Sequence, residues 1–228
     1  MRGVSLKKKM LILFDIDGTL MDTGGAGLHS LNAAIDEVFG PGGPSLNLAG
    51  STDGGIVRGL FEHFGRSYDA VIEEEFYRAY LPKLEVNLRD DSFGGRLLAG
   101  VPDLLNHLQG DGHTLGLMTG NLARGARVKV SRFGIEDYFA FGSYGDDHWD
   151  RNKLGPVALK RAEKNVGRAF PVEETLVIGD TPKDVACAHA FGARCLAVAT
   201  GSFSSEELVA CGADEVVETL DGYRLAGG

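Results

Sequence analysis

The sequence predicts an α/β protein, a doubly wound parallel sheet flanked by helices, with a helical segment inserted after its first strand. Three observations carry that expectation. Short apolar runs recur at Met10-Leu11-Ile12-Leu13-Phe14, Leu115-Gly116-Leu117-Met118 and Leu176-Val177-Ile178, each ending in polar residues; strands buried on both faces of a parallel sheet read this way. Helical patterns alternate with these runs, as crossover connections require. The alternation lapses between Gly24 and Phe93, where three apolar helical faces follow one another with no strand between them.

The first run ends in Asp15-Ile16-Asp17-Gly18-Thr19-Leu20. Ligands of open α/β sheets gather beyond the carboxyl ends of the strands, so Asp15 and Asp17 are expected at a site mouth. Side chains at i and i+2 of an extended segment point the same way, and Gly18 lets the backbone turn sharply after them. Two anions this close repel, and keeping both ionised beside a phosphate requires a divalent cation and a lysine.

In the inserted segment, Leu28, Leu31, Ile35 and Val38 define one face, Ile56, Leu60 and Phe64 a second, and Val71, Ile72, Phe76, Tyr77 and Tyr80 a third. Gly24, Gly25 and Gly27 at its start and Gly94 and Gly95 at its end read as hinges or as turn punctuation. Pro102 opens a helix carrying Leu104, Leu105 and Leu108 and stopping near Gly110. The second apolar run ends at Thr119-Gly120-Asn121, and a helix from Ala123 to Phe133 stops at Gly134. Further strands are expected at Phe139 to Ser143, Cys195 to Val198 and Glu215 to Val217. The third run ends in Gly179-Asp180-Thr181-Pro182-Lys183-Asp184, where Thr181, Pro182 and Asp184 also form a good helix start. Ser204 with Glu207 reads as a capping box and Gly212 as the stop of the last helix.

Composition bounds the function. A chain of 228 residues, 43% hydrophobic, can bury one substantial core, or one core plus a small accessory domain. A formal charge of -9 and a pI near 5.1 disfavour a nucleic-acid backbone as partner. Cys187, Cys195 and Cys211 show no Cys-x-x-Cys spacing and suit reduced thiols. The apolar run after Lys7-Lys8-Lys9 is broken by Asp15, too short for a signal-peptide core or a membrane span. A soluble, cytoplasmic protein is expected, and the three lysines read as a solvated tail.

Taken in order, the Asp-x-Asp-Gly-Thr opening, the strand ending in Thr119, a lysine at Lys153 and the Gly-Asp-x-x-x-Asp of Gly179 to Asp184 resemble the four motifs of the haloacid dehalogenase-like (HAD) hydrolase superfamily. The resemblance covers essentially the whole chain and is most similar to the phosphoglycolate phosphatase branch. It implies a Rossmann-like parallel sheet flanked by helices, residues 1–22 and 94–228, and a helical cap, residues 23–93. The activity it implies is Mg²⁺-dependent hydrolysis of a small phosphorylated metabolite through an aspartyl-phosphate.

Each motif implies a role. Asp15 is the implied nucleophile, since a carboxylate splits a difficult hydrolysis into two easier displacements. Asp17 is the implied proton donor and acceptor. The implied Mg²⁺ site takes the Asp15 carboxylate, the Asp17 backbone carbonyl and Asp180, as a hard octahedral ion prefers; Asp184 either joins it or caps the helix. Thr119 and the amides of Gly120 and Asn121 at a helix start are implied phosphate ligands. Lys153 offsets the charge, although Lys153-Leu154-Gly155-Pro156 comes after an acidic loop and Arg151 is an alternative. In the cap, Ser51-Thr52-Asp53 resembles a segment that faces the core site, and Arg58 is a candidate for gripping a substrate carboxylate or second phosphate.

Three other readings compete. A 2-haloacid dehalogenase needs neither Asp17 nor Asp180. A β-phosphoglucomutase-like enzyme typically places a histidine where Gly27 stands, and His29 comes two residues later. A binding module on the same scaffold would be expected to lose one of the acidic residues.

Overall fold

The computed structural model describes residues 9–46 and 48–225, so Lys7 and Lys8 of the expected basic tail lie outside the described residues. The chain opens with β1 (Leu11–Phe14), then β2 (Met21–Asp22) and three helices, α1 (Ala26–Val38), α2 (Asp53–His63) and α3 (Ala70–Arg89). It returns through β3 (Arg96–Leu97), and α4 (Val101–Gly110), β4 (Thr114–Met118), α5 (Ala123–Arg132) and β5 (Gly142–Ser143) come next. The last part runs α6 (Leu154–Val166), β6 (Thr175–Gly179), α7 (Pro182–Ala190), β7 (Arg194–Val198), α8 (Ser205–Ala210) and β8 (Glu215–Val217).

Six strands form one parallel sheet in the order β5-β4-β1-β6-β7-β8. All four β1 residues are fully buried because alternate side chains feed opposite cores. Ile12 and Phe14 pack with Leu104, Leu105 and Leu108 of α4 and Val130 of α5. Leu11 and Leu13 pack on the other face with Leu154 and Ala158 of α6, Val185 of α7 and Leu208 of α8. Truncating such a side chain to alanine costs ~2–5 kcal/mol, which makes β1 a rigid base for the turn at its carboxyl end. The strand order reverses at β1, between β4 and β6, and that switch point is where a crevice opens.

The expected strand from Phe139 to Ser143 shortens to Gly142–Ser143. Phe139 N–H donates to the Glu136 carbonyl, and its ring packs edge-on against Phe14 at 5.9 Å between centroids. Both contacts draw it away from the ladder. Gly134 and Gly212 end their helices with φ of 67° and 89°, and capping boxes form at Thr181–Asp184 and Ser204–Glu207.

Helices α1 to α3 bury a separate apolar cluster of Leu31, Ile35, Val57, Leu60, Phe76 and Tyr80 among others. Two expected members depart from it. Val71, at the first turn of α3, is 66% exposed, and Leu28 is 41% exposed on the side of α1 that faces the crevice. A two-stranded antiparallel ribbon, unforeseen because each strand has only two residues, pairs Met21 with Leu97 and Asp22 with Arg96. The helical unit enters and leaves through it. Gly24, at φ 62°, sits so close to the returning chain that a Cβ there would lie 1.6 Å from the Phe93 carbonyl oxygen. Gly25 and Gly94 are also left-handed, whereas Gly27 lies inside α1 and is not at a turn. Among the described residues no helix is long and apolar enough to cross a membrane.

Candidate active site

The crevice forms where β1, β4 and β6 end. Asp15 leaves β1 with its N–H donated to the Ile178 carbonyl at 2.9 Å, which fixes the backbone before the turn. Gly18, at φ 82°, turns the chain directly against the Asp180 carboxylate; a Cβ at Gly18 would lie 2.3 Å from its Oδ2, and one at Gly201 1.8 Å. Asp180 is therefore packed between two glycine backbones. The Thr19 hydroxyl donates to its Oδ1 at 3.0 Å, and the Thr200 hydroxyl to the Gly18 carbonyl at 2.6 Å.

Asp15, Asp180 and Asp184 are all buried and offer carboxylate oxygens within 4.8 Å of one another. Burial pushes the Asp15 carboxyl up to about 6, opposed by Arg151 and reinforced by Asp184 and Asp17. Burial pushes Asp180 further, to about 8, with the charges of Asp15 and Asp184 adding to it. The only cation touching the triad among the described residues is Arg151. Its Nη2 lies 3.1 Å from Asp15 Oδ1 and also binds Asp184 Oδ1. Burial works against the guanidinium charge, but Asp184 and Asp15 outweigh it and hold Arg151 above its ordinary range. Three converging carboxylates with one counter-charge, and with Asp180 held up by burial and its neighbours' charge, are a donor set that fits a hard divalent cation.

At the third motif the structure brings Arg151, and not Lys153, to the carboxylates. Lys153 is exposed at the start of α6, whereas Arg151, the first residue of the preceding 3₁₀ turn, is buried and reaches the carboxylates. Asp184 joins the cluster, but its oxygens are already engaged. Oδ2 accepts from the Thr181 N–H and hydroxyl, and Oδ1 takes Arg151. It caps α7 and orients the arginine.

On the β4 side, the Thr119 hydroxyl bonds Asp15 and accepts from Asn121 Nδ2 at 2.8 Å. Asn121 Nδ2 also donates to Asp17 Oδ2 at 2.8 Å. Asp17 is further held by Lys129, whose Nζ lies 2.7 Å and 2.6 Å from its two oxygens and 2.6 Å from Asn121 Oδ1. The amides at this helix start are partly engaged within the protein. The Asn121 N–H faces Thr119 Oγ1 at 3.3 Å, the Leu122 N–H is accepted by Asp53 and the Ala123 N–H by Asp146. Thr119, Gly120 and Asn121 do line the cavity above Asp15, a space of about 650 Å³.

The helical unit docks on the same loop. Asp53 N–H donates to the Gly120 carbonyl at 2.8 Å, and a Cβ on Gly120 would lie 1.9 Å from the Ser51 carbonyl oxygen. Ser51 thus faces the core site. Arg58 does not line that cavity. Its guanidinium stacks over Tyr68 at 4.3 Å and Trp149 at 5.4 Å beside an adjacent groove of about 1020 Å³.

The sequence model of haloacid dehalogenase-like hydrolases matches residues 12–198. The chain belongs to that family. Among curated HAD relatives, phosphoglycolate phosphatase 1 of Pseudomonas aeruginosa is 29% identical over 202 residues, 84% of this chain and 70% of that one. Phosphoglycolate phosphatase of Nitrosococcus oceani is 27% identical over 222 residues, covering 94% and 95%. Among solved folds, a hydrolase from Pseudomonas syringae superposes with a TM-score of 0.71 at 22% identity, over 93% of this chain and 94% of the other. CbbY from Rhodobacter sphaeroides, in complex with xylulose-(1,5)bisphosphate, gives 0.74 at 17% identity, over 93% and 95%.

This HAD hydrolase holds residues that motif reading missed. Lys129 left one signal, since it falls with Ala126 and Val130 on the buried stripe of α5, where a charged residue needs a partner. Thr200 and Gly201 left none, because their place depends on how the loop after β7 reaches past β6 to the turn that follows β1.

Proposed function

We propose that this chain is a Mg²⁺-dependent phosphomonoester hydrolase that works through an aspartyl-phosphate on Asp15, acting on a small phosphorylated metabolite. The observation that carries the reading is the convergence of buried Asp15 and Asp180 from adjacent strand ends, with Arg151 against the first of them. The phosphoglycolate phosphatase relatives support the same reaction class.

Mg²⁺ would be held by the Asp15 and Asp180 carboxylates with the Asp17 backbone carbonyl; bound there, it neutralises carboxylate charge and polarises phosphoryl oxygens. Asp15 attacks phosphorus as the ester P–O bond breaks, and Asp17 delivers a proton to the departing oxygen. Asp17 then takes a proton from water as that oxygen attacks the acyl phosphate, releasing phosphate and restoring Asp15. Thr119 and Asn121 orient the two aspartates, and Lys129 opposes the Asp17 charge from a buried position. Helices α1 to α3 act as a cap whose docking through Asp53 and Ser51 limits water at the site. Free thiols at Cys187, Cys195 and Cys211 agree with a reducing cytoplasm.

The deciding experiment assays purified protein on p-nitrophenyl phosphate with and without Mg²⁺, beside Asp15→Asn. Turnover is expected only with the metal and only in wild type. Retention by the variant of more than ~10⁻³ of wild-type rate overturns the covalent role.

A further inference from the structure

We infer that the cavity above Asp15 selects phosphomonoesters whose leaving alcohol is uncharged, and disfavours those carrying a carboxylate or second phosphate. This rests on the phosphatase reading above and narrows its substrate.

The cap contributes apolar side chains to that cavity. Leu28 of α1 and Leu46 and Leu48 of the α1–α2 connection face it, and Met21 and Phe203 line it from the core side. Beyond the carboxylate cluster and Arg151 its polar lining is mostly hydroxyl, from Thr23, Ser51, Thr200 and Ser202, with the Asn121 amide and the Asp22 carboxylate, which Arg96 pairs at 3.1 Å. These surroundings match an alcohol with hydroxyl or amide groups and an apolar flank.

Charge points the same way. In the substrate-binding state Asp17 carries the proton it delivers, so Asp15, Asp180 and Asp184 bring three formal negative charges against the two positive charges of Arg151 and Lys129, a balance of -1. A bound divalent cation brings it to +1, and the dianionic phosphate of the substrate returns it to -1. Both cations are committed. Arg151 bridges Asp15 and Asp184, and Lys129 is bonded to Asp17 and Asn121. Of the other cations nearby, Arg96 is paired with Asp22, and Lys183 and Arg58 line the adjacent groove, where Lys183 Nζ donates to Ser51 Oγ at 2.8 Å and Arg58 is stacked on aromatic rings. Among the described residues, then, an anionic leaving group meets leucines and like charge, and like-charge juxtaposition is an effective way to reject a ligand.

A matched pair of substrates isolates the charge. Phosphoglycolate and glycolamide O-phosphate differ only in carboxylate against amide, and kcat/KM is compared for both with Mg²⁺ in excess. Wild type is expected to favour the amide by at least ~10-fold. Leu28→Arg, on an exposed part of α1, places a cation at the cavity and is expected to shift the ratio ~10-fold towards phosphoglycolate, while the uncharged control Leu28→Gln leaves it in place. Equal or better use of phosphoglycolate by wild type overturns the inference and leaves the hydrolase reading standing, and so does a ratio that Leu28→Arg does not move. Failure to hydrolyse either ester or p-nitrophenyl phosphate overturns the hydrolase reading and the inference with it.

Discussion

Arg151 and Lys153 sit two residues apart and face opposite worlds. The turn Arg151–Lys153 puts the guanidinium between Asp15 and Asp184 and the ammonium in solvent. Removing one partner of a buried ion pair leaves an uncompensated charge, so Arg151→Met is expected to destabilise the fold by ~3–5 kcal/mol in denaturant titrations. Lys153→Ala is expected to change stability by no more than ~0.5 kcal/mol and to leave kcat/KM as in wild type. A large loss of turnover in Lys153→Ala would return the charge-offsetting role to that residue. Local sequence does not separate the two cations, because the direction of a short turn is decided by packing against α7 and the β4 end, which the local spacing does not encode. Asp15, Asp17 and Asp180 are legible for the opposite reason: they stand at or just beyond the end of a continuous apolar run, and position at a strand end fixes where a side chain goes.

Helix α2 begins where the helical unit meets the β4–α5 loop, and its first residue carries a buried acid. Asp53 accepts the Leu122 N–H at 2.8 Å, and burial pushes its carboxyl up to about 6, with the Leu122 amide and Lys129 pulling the other way. The folded-state value lies above the unfolded one, so the folded protein binds the extra proton. Ionisation costs it nothing below about pH 4 and progressively more as pH rises to about 6. Asp53→Asn keeps an acceptor for Leu122 and removes the charge. Its stability relative to wild type is expected to rise between pH 4 and pH 7 by up to about 3 kcal/mol, read from urea midpoints in EDTA. A flat difference across that range would mean that Asp53 is not held above its ordinary value. The helices themselves are readable from 3.6-residue periodicity, yet the same periodicity assigns Leu28 to the cap core. It identifies an apolar face without saying whether a helix or a substrate covers it.

For the whole molecule, the proposed metal site links ion binding to folding. Mg²⁺ held only by the folded arrangement of Asp15 and Asp180 would stabilise it by mass action, ~2.7 kcal/mol at a hundredfold excess over Kd. Thermal unfolding is expected to move upwards with Mg²⁺ in wild type and to stay fixed in Asp180→Asn; an equal shift in both would place the ion elsewhere. The ribbon of Met21–Asp22 with Arg96–Leu97, through which the chain passes between the two units, escapes the sequence because two residues carry no period.

Strand β1 precedes in sequence both of the strands it pairs with. Leu11 pairs with Thr114 on one side and Thr175 on the other, and Asp15 donates its N–H to Ile178. During translation Asp15 therefore waits without its strand partners until Thr175–Gly179 has left the ribosome, while the helices α1 to α3 can already bury Leu31, Leu60 and Phe76 among themselves. A nascent chain stalled before Thr175 is expected to carry a folded helical unit beside an unmade sheet. Chains that end before Thr175 would then be adhesive through β1 and, on the proposed reading, inert, because β6 is absent to pair with β1.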